Sequence, residues 1–395
     1  VKKLPENWRM KTIGEMIKFS GGSQPPRSNF VSTPQEGYVR LIQIRDYKTD
    51  KFATYIPSGM ASKFCDKEDI MIGRYGPPIF QILRGLSGAY NVALIKAIPQ
   101  NGLLSRYAYH FLKSPSLYNF IDSLSQRSSG QTGIEMDELK DYPLPLPPEE
   151  EQRVLADVFD KWDHSIDLTE NLIAAKQERR TWLMHQLLTG KRRLSGFGKP
   201  APDGGTPEGW QTPKTDAIFR NISKKNCPGE TVLSVTQDAG VVARDSLERK
   251  INMSHENTHT YKLVEPGDFV ISLRSFQGGL EYSRYRGLVS PAYHVIRPKV
   301  KICDDFFRLY FKSNEFIQRL AIATIGIRDG KQISFEDFAF MKIPVPPLDE
   351  QQKIAAVIDT ADRELDLLRF QLDALRDQKK GLMQQLLTGK LRVKV

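Results

Sequence analysis

The chain has 395 residues, 40% hydrophobic and 26% charged, with a net charge of +10. That profile suits a globular protein of two or three domains, and no apolar run approaches the ~20 residues a membrane helix needs. No secretory signal opens the chain at Val1-Lys-Lys-Leu-Pro, and the scattered Cys65, Cys227 and Cys303 form neither a disulfide framework nor a metal-type pair, so a cytoplasmic, reducing setting is expected.

Residues 1–148 read as mixed α/β. The β-rich runs are Tyr38–Ile44, Asp69–Ile72 and Ala89–Ile95, separated by punctuation such as Gly21-Gly-Ser-Gln-Pro-Pro26 and Gly73-Arg-Tyr-Gly-Pro-Pro78. Apolar spacing predicts a helix over Ser105–Ser123, broken near Pro115. A polar loop follows at Gln126–Gly133, and the Pro-rich Tyr142–Pro148 is read as ending the module, because consecutive prolines cannot continue a sheet or helix. Residues 149–190 read as a long helix, 191–206 as a Gly/Pro-rich linker, 207–347 as a second mixed module and 348–390 as a second long helix.

The second half repeats the first. Leu144-Pro-Leu-Pro-Pro-Glu-Glu-Glu-Gln152 running to Leu183-Met-His-Gln-Leu-Leu-Thr-Gly-Lys191 falls, at a shift of 199 residues, on Ile343-Pro-Val-Pro-Pro-Leu-Asp-Glu-Gln351 running to Leu382-Met-Gln-Gln-Leu-Leu-Thr-Gly-Lys390. The modules echo each other too, as in Pro5-Glu-Asn-Trp8 and Pro207-Glu-Gly-Trp210. Both helices carry a heptad seam: Leu155, Phe159, Trp162 and Ile166 in the first, and Ile358, Leu365, Leu368, Leu372 and Leu375 in the second, which is interrupted by Lys379. A lone helix cannot hide such a seam. An intramolecular antiparallel coiled coil is therefore expected, giving an α+β fold with an approximate two-fold internal repeat; packing on its own module, or dimerisation, is the alternative.

Charge separates modules from helices. Residues 1–148 carry net +6 and residues 191–347 net +7, whereas 149–190 carry −4 and 348–395 carry +1. Two basic modules on less basic struts suit a polyanionic partner. Arg and Lys read guanine, and Asn and Gln read adenine. The candidate DNA-binding residues are therefore Gln43, Arg45, Arg74, Tyr75, Gln81, Arg84, Arg127 and Gln131 in the first module. In the second they are Gln237, Arg274, Ser275, Gln277, Arg284, Arg286, Arg328, Lys331 and Gln332.

No phosphate-binding Gly loop, dinucleotide fingerprint or nucleophile elbow is present, so no catalytic residue is assigned. His255-Glu-Asn-Thr-His259 matches the zinc-protease string. That string works only on an α-helix, and its flanks read as a polar loop entering a strand, so no metal site is assigned.

The doubled Pro-Pro-x-x-Glu-Gln, long helix and Leu-Leu-Thr-Gly-Lys resemble the specificity subunit of type I restriction-modification enzymes over nearly the whole chain, and Gly21-Gly22 is similar to that family's opening loop. The second module, opening on Asn221-Ile-Ser-Lys-Lys-Asn-Cys-Pro-Gly, lacks a clear counterpart. The resemblance implies two target recognition domains, each reading half of a bipartite asymmetric DNA site. It implies helices that set the half-site spacing and hold two methyltransferase subunits, with restriction subunits joining. It implies no cofactor on this chain, with S-adenosylmethionine, ATP and magnesium on the partners. A stand-alone DNA-binding coiled-coil protein is the competing reading.

Overall fold

The structure, a computed structural model, describes residues 4–125, 133–200, 205–237, 239–244, 255–323 and 333–394. It divides into two compact units. The first is Val1–Glu170 with Phe370–Val395, and the second is Asn171–Arg369. Each joins one module to the start of its own long helix and the end of the other.

In the first unit, strands Ile17–Gly21, Leu94–Pro99, Ile70–Gly73 and Gln81–Leu83 form an antiparallel sheet in that order. A second sheet orders Tyr55–Pro57, Tyr38–Ile42, Gly88–Tyr90 and Phe64–Cys65, with the middle pair parallel. The run Ala89–Ile95 is thus two strands in two sheets, not one. Buried Asn91 turns the chain between them. Its amide donates to the Ile42 carbonyl at 3.1 Å, and its side-chain oxygen accepts from the Ala93 amide at 3.2 Å. Gly22 is needed at this crossing, since a β-carbon there would overlap the Asn91 carbonyl. The strand begun at Tyr38 also stops early, at Ile42, because Asp46 caps a 3₁₀ turn over Ile44–Tyr47 by accepting from the Gln43 amide.

The Pro-rich stretch does not stop the sheet structure. Pro143–Leu146 is a strand paired antiparallel with Arg9–Thr12. The second repeat shows why this is allowed: Ile343 and Val345 donate their amides to Pro213 and Gln211 carbonyls, at 3.1 and 2.8 Å. Only alternate residues of an edge strand face the partner, so prolines fit at the intervening positions.

The helix expected over Ser105–Ser123 is two, Ser105–Leu112 and Pro115–Ser125. Pro115 opens the second, where its missing amide costs nothing. Tyr107, Phe111, Leu117 and Ile121 join Ile72 and Leu139 in a core that continues into Leu155 and Phe159 of the first long helix and Met383 and Leu386 of the second.

In the second unit, strands Phe219–Ile222, His294–Pro298, Phe269–Ile271 and Glu281–Tyr282 repeat the order and antiparallel sense of the first unit's first sheet. The remaining strands differ, pairing as Leu233–Thr236 with Gly240–Ala243 and Lys262–Val264 with Gly287–Val289. Phe219, Phe269, Phe307, Phe311, Phe316 and Phe338 fill the core with mainly tilted and edge-to-face ring contacts.

The long helices are Glu149–Leu188 and Leu348–Leu386. Their segments run antiparallel within each unit. In the first, Asp163 meets Lys379 and Glu170 meets Arg376. In the second, Lys176 meets Glu364 and Arg180 meets Asp362. Leu155, Phe159, Ile358, Leu365 and Leu372 are buried, and Trp162, Ile166, Leu368 and Leu375 are half-buried. Lys379, which interrupts the second seam, faces Asp163 of the other helix, as Lys176 and Arg180 of the first helix face Glu364 and Asp362. In the first turn of each helix, the repeated Gln fastens helix to module. The Gln152 amide donates to the Pro147 carbonyl and accepts from the Leu104 amide, while Gln351 does the same with Pro346 and Cys303.

Candidate nucleic-acid interface

In the first unit, Gln43 and Arg45 sit on one rigid segment. Gln43 Nε2 donates to Thr54 Oγ1 at 3.1 Å, and buried Asp46 holds the backbone beneath, burial pushing its carboxyl up. Arg45 is exposed; its Nη2 donates to the Phe52 carbonyl at 3.4 Å, and its guanidinium lies 5.7 Å from the Phe52 ring centre. Ile44 closes against Gly73, where an added β-carbon would stand 3.1 Å from its Cδ1. Ile44 thus packs where the strand ends at Gly73, which Arg74 and Tyr75 follow and which Gln81 faces in the ladder. Arg74 stands 5.4 Å from the exposed Tyr75 ring. Gln81 Nε2 donates to the Pro78 carbonyl at 3.0 Å.

Arg84 does not join this group. It stacks 4.3 Å from the Tyr109 ring centre and lies 3.8 Å from Asp160 of the long helix, so it ties module to helix. Reasoning from base-reading residue types passed over Lys48, Lys51 and Phe52. All three are exposed, and Lys51 Nζ lies 5.5 Å from the Phe52 ring. Their alternation of basic and aromatic residues was the available signal. Arg127 and Gln131 lie outside the described residues.

In the second unit, Lys312 gathers the reading candidates. Its ammonium donates to the Gln237 carbonyl at 3.2 Å and the Gly278 carbonyl at 2.9 Å, and pairs with Glu281. Gln237 Nε2 in turn donates to the Arg274 carbonyl at 3.3 Å. Gln237, Arg274 and Gln277 are thereby adjacent and exposed. Arg284 is also exposed, 5.9 Å from the Tyr282 ring and 4.0 Å from Asp305.

Two candidates sit in a different setting. Ser275 is only 1% exposed, and its hydroxyl accepts from the Ser272 amide at 2.8 Å, so it shapes the turn rather than a surface. Arg286 is exposed and pairs with Glu230 at 2.8 Å and Glu265 at 2.7 Å, the Glu230 hydrogen bond raising its pKa. Arg328, Lys331 and Gln332 lie outside the described residues.

His255–Thr260 forms a 3₁₀ helix. The zinc-protease string works on an α-helix, which this segment does not form. Among the described residues no three His, Cys, Asp or Glu side chains converge on a metal site, and no helix is long and apolar enough to cross a membrane.

The family described as type I restriction modification DNA specificity domain matches residues 5–176 and again 207–375. The chain is 25% identical over 419 residues to the type I restriction enzyme MjaVIII specificity subunit of Methanocaldococcus jannaschii, covering 99% of this chain and 95% of that one. It is 22% identical over 433 residues to the EcoKI specificity subunit of Escherichia coli, covering 99% and 89%. In fold it is similar to a chain solved in work on complex assembly and conformational transition of the type I R-M system, with TM-score 0.64, 17% identity, and 99% and 100% coverage. It is also similar to the HsdS subunit from Thermoanaerobacter tengcongensis, with TM-score 0.52, 18% identity, and 98% coverage of both chains. The two family matches fall one on each module with the first part of its following helix; the chain belongs to the type I restriction-modification DNA specificity family, as a subunit that recognises DNA.

Proposed function

We propose that each module reads one half of a bipartite, asymmetric DNA target, and that the paired helices set the distance between the halves. The observation that carries this is the doubling: two family matches, two compact units with separate cores, and different chemistry around each set of exposed reading residues. The two modules share one sheet order but differ beyond it, as readers of different half-sites would. Exposed Arg45 with Lys48 and Lys51 in the first module, and Arg274 with Arg284 in the second, hold the register on phosphate while Gln43, Gln81, Gln237 and Gln277 reach base edges. Half-sites about one helical turn apart, roughly 34 Å, are read from one side of the duplex. Helices of 40 and 39 residues, about 58 Å long, are ample for such a spacer.

Exposed Leu172 and Trp182 on the first helix and Leu367 and Phe370 on the second favour the helices as the surface that docks two methyltransferase subunits, with restriction subunits joining that assembly. S-adenosylmethionine, ATP and magnesium are then held by those partners. Methylation mapping by single-molecule sequencing tests the reading. Exchanging residues 1–148 for another family member's first module changes one half-site and spares the other. A change in both halves, or in neither, refutes it.

A further inference from the structure

At the foot of each module three chain segments meet on one buried carboxylate. In the first unit, Glu151 is the acid. Trp8 Nε1 donates to its Oε2 at 2.9 Å, and Arg392 pairs with its Oε1. In the second unit, Glu350 is the acid and is fully buried. Trp210 Nε1 donates to Oε2 at 2.8 Å, and Arg193 is bidentate, Nε to Oε1 at 2.6 Å and Nη2 to Oε2 at 2.9 Å. Trp opens the module, Glu lies in the first turn of the helix that follows it, and Arg follows the Thr-Gly-Lys that ends the other helix.

The repeated motifs converge here for a physical reason. Asn7 and Gly209 have φ of 71° and 76°, turning Trp8 and Trp210 inward so that each amide donates to the proline three residues back at 3.1 Å. Gly389 and Gly190, both with φ of 70°, end the helices, and a β-carbon on either would run into Pro5 or Pro207. A carboxylate out of water needs its charge matched and its lone pairs filled. Without the arginine, each acid keeps the indole N–H but loses its matching charge. Directly after Trp8 comes the strand Arg9–Thr12, paired with Pro143–Leu146, which runs into the helix. This carboxylate is therefore one of the points, with Gln152 and Asp160, at which the module is held on its helix.

We propose that the arginine after each Thr-Gly-Lys is a positioning residue for the module of the other repeat, Arg392 for the first module and Arg193 for the second. This rests on the half-site reading above. Its consequence is one that order along the chain would not suggest: recognition by residues 1–148 depends on a side chain 241 positions from Glu151.

The test uses the full-length chain assembled with its methyltransferase subunits. Affinity is read for duplexes altered base by base in either half-site. Arg392→Ala lowers discrimination in the first module's half by roughly tenfold, the scale of losing one base pair's contribution, and leaves the other half unchanged. Arg193→Ala does the reverse, and Arg392→Lys, which keeps the charge, restores most of the loss. If Arg392→Ala does not fold, Trp8→Phe, which keeps the ring and deletes the N–H donor, shows a smaller loss on the same side. Equal losses in both halves, or folded variants with neither half affected, overturn the proposal. Absence of discrimination in the unaltered complex would instead count against the half-site reading itself.

Discussion

The first unit should lose stability between pH 6.5 and pH 4 because of one side chain, His110. It sits on Ser105–Leu112, fully buried, with Nε2 2.8 Å from Asp160 Oδ1 and Nδ1 3.8 Å from Asp163 Oδ2. Arg106 hydrogen-bonds Asp160, and Lys113 and Lys379 face Asp163, so both acids already have cations. Burial pushes the imidazole down to about 4, and the Lys379 charge adds to this; the Asp160 hydrogen bond opposes both. Above pH 6.5 the ring is neutral in both folded and unfolded chains and costs nothing. As pH falls toward 4 the unfolded chain takes up a proton that the folded one refuses, and stability is lost across that window. At 1.36 kcal/mol per pH unit the loss is about 3 kcal/mol. His110→Leu removes it without stranding a charge, because Asp160 keeps Arg106, and Leu309 already occupies the equivalent position of the second repeat. Urea unfolding followed by circular dichroism at pH 7, 6, 5 and 4 gives the two profiles. The wild type should lose about 3 kcal/mol more than the variant between pH 6.5 and 4. Parallel profiles would refute the reasoning. Asp160 is held below its usual value although burial opposes this, its hydrogen bonds to Arg106 and His110 prevailing. Its contribution is present above the usual carboxylate range and lost as pH falls through its lowered value, outside the His110 window.

Two other substitutions separate structure from contact. Gly22→Ala should lower the melting temperature and cost a few kcal/mol, since its β-carbon meets the Asn91 carbonyl, whereas Gly21→Ala, with nothing within 4 Å, should be nearly neutral; equal melting temperatures would sink that account. Arg45→Ala should weaken DNA binding for all sequences and reduce the slope of log affinity against log salt by about 1. Arg286→Ala should leave the slope unchanged, because its charge is already spent on Glu230 and Glu265; a reduced slope for Arg286→Ala would reverse that assignment.

The repeat was plain in the residues because it is a covalent fact, and the seams were plain because burial along a helix imposes its own period. Strand boundaries were harder. Ala89–Ile95 reads as one run because both its halves are buried, and only the Asn91 turn parts them into different sheets. Pro143–Leu146 reads as a stop because propensity counts prolines without asking which amides the edge must donate. Among the reading candidates, residue type could not show that Arg84 and Arg286 meet carboxylates 76 and 56 or 21 positions away, while the acid beside Arg45 is its chain neighbour Asp46, at 4.0 Å.

The sequence by itself determined the division into modules and helices, the tandem repeat and the family, since each rests on order and spacing along the chain. Tertiary structure alone decided which cations pair with distant acids, as Arg84 and Arg286 do, and that Trp, Glu and Arg from three separated motifs share one buried carboxylate. A charge is available or spent according to what stands within a few ångströms of it, and those neighbours here are brought together only by folding.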